Sequence, residues 1–194
     1  MRFSTDIHWE ALICFVKYLK KAPGKGIVYQ DHGHMQVEAF SDADWVMSLM
    51  NHKSTTGYFV FLGGNLISWK SKKQDVVARS NAEAKYRTMA QTTCELIWVR
   101  QILEIEFSNT YPMKLWCDNE AAMHIASNPI YRKRTKHVEV DCHFIREKVQ
   151  QNLISTSDVK AGDQLAVLLT KALNGVRSDF ICNKLGMINI YALA

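Results

Sequence analysis

Three acidic side chains stand where their carboxylates could share one cation. Asp42 follows an apolar run, Glu83 falls in the first turn of a long predicted helix, and Asp118 follows the short run 113–117. An unpaired buried charge is costly, so carboxylates at the inner ends of apolar segments indicate a shared counter-ion. Carboxylate oxygens are preferred ligands of Mg²⁺. The pattern therefore indicates a divalent cation site and favours metal-assisted hydrolysis.

Each of these acids also has a simpler interpretation. Asp42 and Asp118 could be turn residues at strand ends. Glu83 could be an ordinary first-turn acid, favoured there by the helix dipole. Asp44, next to Trp45, is interpreted as an acid in a solvated loop, and as a minor ligand only if the preceding strand continues that far.

The elements that would position these carboxylates follow from the hydrophobic spacing. A strand at 35–40 delivers Asp42 just past its C-terminal end, and a long helix from 80 to about 104 carries Glu83. Gly63 and Gly64 admit the positive φ angles of a tight hairpin turn. The other strands predicted for the core are 57–62, 65–69, 113–117 and 153–159.

Helices and one short leading strand complete the predicted order. The helices span 8–21, 120–127, 138–151, 163–173 and 177–185, and the leading strand spans 26–29. The core order is three strands, helix, strand, helices, strand, helix, which is typical of an α/β fold. We divide the chain into an N-terminal connection helix (1–25), a main domain (26–174) and a C-terminal helical tail (175–194).

Composition limits the class of protein. With 194 residues and 47% hydrophobic content, the chain can bury a core of its own. It has neither a bilayer-length apolar run nor the apolar stretch of a signal peptide, so we expect no membrane association and an intracellular location, in cytoplasm or nucleus. The five cysteines form no C-x-x-C pair, which favours reduced thiols over zinc ligands or disulfides.

Positive charge is concentrated in two places. The net charge is +5, and the run 131–137 contains Arg132, Lys133, Arg134 and Lys136. Such a run is usually a solvated loop, but it also suits a polyanion such as nucleic acid. A second set follows the third core strand and could equally track phosphates or be a solvated strand end: Lys70, Lys72 and Lys73.

A series of short strings resembles the successive motifs of the ribonuclease H domain in copia-type LTR retrotransposon polyproteins. The resemblance runs from about residue 8 to 173, and segment 1–25 is similar to the connection that follows the reverse transcriptase. It implies a fragment without the reverse transcriptase core, and such an enzyme as a partner in trans. The strings are SDADW at 41–45, KSTTGY at 53–58, FLGG at 61–64, ISWKSKKQ at 67–74, SNAEAKY at 80–86, ELIW at 95–98, CDN at 117–119, RTKH at 134–137, HFIRE at 143–147 and DQLA at 163–166.

This resemblance implies a ribonuclease H-like mixed five-stranded sheet flanked by helices, and cleavage of the RNA strand of RNA/DNA hybrids. Two Mg²⁺ ions would do the chemistry, with Mn²⁺ able to substitute. Asp42 would bridge both ions, while Glu83 and Asp118 would hold one of them. The lysines and arginines of the two basic sets would contact the hybrid.

The chain departs from the family pattern at the fourth metal-site carboxylate. Copia-type domains usually read Gln-x-Ala-Asp in the last helix, whereas this chain has Val167 after Gln164 and Ala166. Asp163, one helical turn earlier, could partly substitute as a ligand. Lys85 also stands where an acidic residue is common. Two functions stay open: a ribonuclease H impaired by Val167, and an inactive nucleic-acid-binding or interaction domain.

Overall fold

A mixed five-stranded sheet forms the centre of the structure, a computed structural model that describes residues 6–21, 23–45, 52–106, 111–119 and 136–193. Its strands lie in the order β4-β3-β2-β5-β6. The first three pair antiparallel, and β5 and β6 run parallel to β2. This confirms the predicted fold class. The strands are β2 (Val37–Asp44), β3 (Thr55–Leu62), β4 (Asn65–Lys73), β5 (Met113–Cys117) and β6 (Ile154–Asp158).

Four α-helices are described, and two of them cover one face of this sheet. They are α1 (Asp6–Lys21), α2 (Asn81–Glu106), α3 (Lys136–Gln150) and α4 (Gly175–Lys184). Helix α2 lies on β2 and β3, and α3 packs on α2. The main core forms between α2 and the sheet, with Tyr86, Met89 and Leu96 fully buried. No helix within the described ranges is long and apolar enough to cross a membrane. The predicted helix 120–127 lies outside the described residues.

The opposite face of the sheet is covered by the C-terminal part of the chain. The helix predicted at 163–173 is wrong: only a short 3₁₀ helix, Leu165–Leu169, forms there. Gln164 caps its start by accepting from the Ala166 N–H, and the Thr170 N–H closes its end on the Val167 carbonyl. From the predicted tail, Ile181 and Leu185 join a second buried cluster on this face. A separate small sheet pairs β1 (Lys25–Ile27) with β7 (Met187–Asn189).

One end of the main sheet gathers the acidic residues. Ser41 of β2 pairs with Cys117 of β5 in the parallel ladder, so Asp42 and Asp118 follow neighbouring positions at the C-terminal ends of both strands. The expectation that Asp42 lies just past its strand is wrong, because β2 continues to Asp44. The side chains of Asp42 and Asp44 therefore share one face of the strand.

Gly57 sets the distance between β3 and the 3₁₀ helix. A Cβ at this position would lie 2.6 Å from the Thr170 methyl, 2.9 Å from Leu169 Cβ and 3.1 Å from the Ala166 carbonyl oxygen. We expect Gly57→Ala to lower the free energy of unfolding by about 1–3 kcal/mol, the usual cost of overpacking. Urea denaturation measures it. Gly26→Ala is the matched control, since its Cβ meets nothing within 4 Å. Equal effects of the two changes would contradict the prediction.

Candidate active site

Asp42 and Asp118 share one positive charge, which comes from α2. The Lys85 ammonium donates a hydrogen bond to Asp118 Oδ1 and lies 3.4 Å from Asp42 Oδ1. The exposed fractions of Lys85 and Asp42 are only 6% and 1%. The three side chains therefore form a group, with Asp118 partly exposed, in which an ammonium bridges two carboxylates.

Lys85 is fully protonated in this setting. Burial alone would lower its pKa, but the hydrogen bond to Asp118 and the negative charges of Asp42 and Asp118 outweigh it, so the pKa is raised above its ordinary value. The group between the two carboxylates is thus a cation at neutral pH.

The second oxygen of Asp42 is held from the opposite side. Thr170, directly after the 3₁₀ helix, donates its hydroxyl to Asp42 Oδ2. Asp42 Oδ1 is buried and has no hydrogen-bond partner within the part of the chain that is described. The Asp42 carboxylate is therefore oriented by Thr170 with its other oxygen turned towards Lys85.

Glu83 forms hydrogen bonds and an ion pair with its own neighbours at the start of α2. The Ser80 hydroxyl accepts from the Glu83 N–H at 3.1 Å, and Glu83 Oε2 accepts from the Arg79 N–H at 2.9 Å. This exchange is a close relative of the capping box. Glu83 Oε1 pairs with Arg87 at 2.7 Å. Both oxygens thus have partners outside the Asp42–Asp118 pair, and the role of Glu83 as a metal ligand stays a prediction.

Asp44 lies buried beside this group. Its exposed fraction is 6%, and its Oδ2 lacks a hydrogen-bond partner in the described ranges. The pKa of Asp44 is raised mainly by burial; the charge of Lys171 lowers it and that of Asp42 raises it again. The interpretation of Asp44 as a solvated loop acid is wrong, because the strand continues through it. The sequence signal for a longer strand was the spacing of Phe40, Asp42 and Asp44, since every second residue of a strand lies on the same face.

Asp163 does not have the helical setting that was expected. It is exposed in a turn before the 3₁₀ helix, and its N–H bonds the Lys160 carbonyl at 2.8 Å. It borders a cavity of about 420 Å³ whose floor includes Phe40 and Trp116. The premise that Asp163 stands one helical turn before residue 167 is therefore wrong, and its role as a ligand stays a prediction without that support.

Val167 lies within the 3₁₀ helix. Its side chain is half-buried and packs against the second buried cluster, which includes Phe59 and Phe61. Its carbonyl accepts from the Thr170 N–H at 3.2 Å. Residue 167 is therefore one turn away from the threonine that contacts Asp42, and it brings only hydrocarbon to this region.

The donors that converge are two carboxylates, a set that suits one divalent cation whose remaining ligands are water. Asp42 and Asp118 supply carboxylate oxygens, the ligands that Mg²⁺ and Mn²⁺ prefer, and the Lys85 ammonium is a stand-in cation between them. A second ion has less support: Glu83 is paired, and Val167 has no donor atom. Among the described residues, no three histidine, cysteine, aspartate or glutamate side chains gather closely enough to hold one ion.

The predicted nucleic-acid-binding lysines lie on the edge strand at the same end of the sheet. Lys70, Lys72 and Lys73 are exposed in β4. In the strand register, Ser71 is opposite Gly57, which is opposite Asp42. The lysines thus lie two strands from the acidic group, about 10 Å at the usual strand spacing. The other predicted contacts, Arg132, Lys133, Arg134 and the side chain of Lys136, lie outside the described residues.

Relatives of this chain occur in transposon polyproteins. No protein-family model matches the chain. It is 40% identical, over 191 residues and 98% of its length, to the retrovirus-related Pol polyprotein from transposon RE2 of Arabidopsis thaliana. It is 31% identical, over 180 residues and 93% of its length, to the corresponding polyprotein from transposon TNT 1-94 of Nicotiana tabacum. The chain spans only 13% and 14% of these two relatives.

Solved structures of similar fold are ribonuclease H domains. The N-terminal ribonuclease H domain of a Mycobacterium tuberculosis protein aligns with a TM-score of 0.53 at 10% identity, covering 77% of this chain and 97% of that one. Ribonuclease H1 of Halobacterium salinarum gives 0.51 at 13% identity, covering 70% and 94%. LC11-RNase H1 in complex with an RNA/DNA hybrid gives 0.51 at 10% identity, with the same coverage. At such low identity, these likenesses show the fold alone.

Proposed function

Since this chain belongs to the copia-type retrotransposon Pol polyproteins and has the fold of their ribonuclease H region, we propose that it binds RNA/DNA hybrids and cleaves the RNA strand slowly. One observation carries the proposal: Asp42 and Asp118 converge on a single cation at the C-terminal ends of two neighbouring parallel strands. A ribonuclease H1 of the same fold has been solved with an RNA/DNA hybrid, which supports the substrate class.

Asp42 and Asp118 would hold the divalent ion. The ion would supply Lewis-acid activation of water and neutralise charge on the phosphate. Thr170 keeps Asp42 oriented by donating to its second oxygen. The exposed lysines of β4 would hold the substrate backbone, since phosphate contacts supply most of the sequence-independent affinity for nucleic acid.

Cleavage would be slow because the ligands for a second ion are incomplete. Glu83 is held by Arg87 and by the Arg79 N–H, and Val167 has no donor atom. With one ion, either the attacking or the leaving oxygen lacks metal stabilisation. Mn²⁺ tolerates a poorer ligand set than Mg²⁺, so we expect it to support more cleavage.

A second candidate function is hybrid binding without cleavage. The Lys85 ammonium favours it, because a cation already neutralises the two aspartates. An assay that measures both hybrid binding and RNA-strand cleavage separates the two functions, since both require hybrid binding and only one requires the RNA strand to be cut.

The test follows labelled RNA/DNA hybrid and a DNA duplex of the same sequence, with Mg²⁺, Mn²⁺ or EDTA. We expect hybrid binding at low salt and slow RNA-strand cleavage that is faster in Mn²⁺ and absent in EDTA. Asp118→Asn is expected to remove the cleavage and keep the binding, because the phosphate contacts lie elsewhere. Binding without cleavage in either metal would leave the inactive binding domain, and no binding at low salt would exclude both functions.

A further inference from the structure

We propose that Lys85 is a built-in cation that takes the place of a divalent ion between Asp42 and Asp118, so that a metal ion binds there only by displacing it. The proposal rests on the proposed function for the identity of the metal-binding pair. It concerns the competition for that pair and is measured by metal binding and folding, without nucleic acid.

The first step of the argument is the cost of burial. Taking a charge out of water costs several kcal/mol unless an opposite charge compensates it. Asp42 is 1% exposed, and the side chain of Asp118 is 17% exposed. Two such carboxylates at the ends of paired strands repel each other. Lys85 supplies the compensating charge, so the domain reaches its folded state without a metal ion.

The second step is that Lys85 and a divalent ion need the same atoms. The ammonium contacts Asp118 Oδ1 and lies 3.4 Å from Asp42 Oδ1. A divalent ion held by both carboxylates requires the space between them. The two cations therefore exclude each other. The apparent metal affinity equals the intrinsic affinity multiplied by the fraction of molecules in which Lys85 has withdrawn, so a small fraction means weak binding.

Other nearby cations do not share this role. Arg87 is paired with Glu83 at 2.7 Å, and Lys171 acts on Asp44, whose pKa it lowers. Lys85 is thus the cation that the described residues place between Asp42 and Asp118.

The third step is that only the side chain of Lys85 needs to move. The start of α2 is fixed by the Ser80 and Glu83 cap, and Gln74 Nε2 donates to the Ala84 carbonyl at 2.9 Å. Gln74 also reaches the hydroxyl of Thr56 on β3 at 3.2 Å. The backbone that carries Lys85 is therefore anchored to the sheet. Its flexible four-carbon stem can withdraw the ammonium while the helix stays in place.

The experiment titrates Mn²⁺ and Mg²⁺ by calorimetry and follows thermal unfolding in EDTA and in each metal. Lys85→Met keeps the apolar stem and removes the charge, and Lys85→Arg keeps the charge. Lys148→Met is the matched control, because Lys148 is a partly buried lysine on α3 that pairs with Glu147.

We expect wild type and Lys85→Arg to bind Mn²⁺ weakly and to melt at nearly the same temperature in EDTA and in metal. Lys85→Met is expected to melt lower than wild type in EDTA, to bind Mn²⁺ at least about tenfold more tightly, and to be restabilised by it. A Lys85→Met protein that folds only with Mn²⁺ would be the same result in its strongest form.

Three outcomes for Lys85→Met would overturn the proposal. They are Mn²⁺ affinity equal to that of wild type, stability in EDTA equal to that of Lys148→Met, and a protein that stays unfolded in metal. Mn²⁺ binding by Lys85→Arg as tight as by Lys85→Met would also overturn it, because charge would then not be the cause. A failure to cleave hybrid leaves these measurements unaffected, so the two proposals fail separately.

Discussion

Val167→Asp is expected to raise cleavage of RNA/DNA hybrid by on the order of ten- to a thousandfold, the scale seen when one group that stabilises a transition state is regained. The resemblance to copia-type domains implies that residue 167 takes the position of their fourth metal-site carboxylate. Residue 167 is one turn from Thr170, whose hydroxyl contacts Asp42. A carboxylate here would add a ligand for the second ion. Initial cleavage rates in Mg²⁺ and Mn²⁺ measure the gain.

The same change has a structural cost that needs a control. Val167 is half-buried against the cluster that contains Phe59 and Phe61, and a charged group beside an apolar cluster is destabilising. Val167→Asn has nearly the shape of aspartate without its charge, so it isolates the effect of the carboxylate. We expect Asn to lose a similar amount of stability and to gain no cleavage.

A third variant shows whether the gain depends on the same site. Adding Asp118→Asn to Val167→Asp is expected to abolish the increase, because the new carboxylate works only together with the existing pair. If Val167→Asp stays folded and gains nothing, residue 167 is packed into the apolar cluster and does not reach the metal position. If wild type cleaves hybrid as fast as a ribonuclease H1 assayed beside it, the idea that its site lacks a metal ligand at residue 167 is wrong.

The sheet could be predicted because its signals are local. Gly63 and Gly64 both have positive φ in the hairpin, which few other residues adopt easily. The run Met113–Cys117 reads as a strand with buried residues at alternate positions, and the structure confirms these bounds. Such patterns depend on neighbours in sequence, so the five strands of the main sheet and the long helix α2 could be predicted in their order from the chain alone.

The state of the acidic group could not be predicted, because it depends on contacts that are distant in sequence. Lys85 reaches Asp42 and Asp118 only because α2 packs on both β2 and β5. Spacing along the helix places Glu83 near the sheet, yet it does not reveal that Arg87, one turn on, takes its carboxylate. The short 3₁₀ helix was missed for a related reason: apolar residues at 165–169 suit either helix type, and the caps end it early.

Replacing Lys70, Lys72 and Lys73 together with glutamine is expected to weaken hybrid binding at low salt by on the order of ten- to a hundredfold. Each phosphate contact releases condensed counterions. Losing three contacts should therefore also make the slope of log K against log salt concentration shallower by about 2 to 3. These lysines are exposed on the edge strand, where the register across β3 aligns Lys70 with Ser41, Lys72 with Ala43 and Lys73 with Asp44. Filter binding over a salt series measures both quantities.

The matched control removes the same charge away from β4. It replaces Lys148, Lys160 and Lys184 together with glutamine. Lys160 follows β6, the opposite edge of the sheet, and shares a cavity rim with Lys184; Lys148 is on α3. Because net charge falls equally in both triple variants, a general electrostatic effect would weaken binding equally. A track along β4 predicts instead that the Lys148, Lys160 and Lys184 variant keeps most of its affinity and its salt dependence. Equal losses in the two variants would remove β4 as the hybrid-binding edge, while leaving the chemistry of Asp42 and Asp118 to be tested on its own.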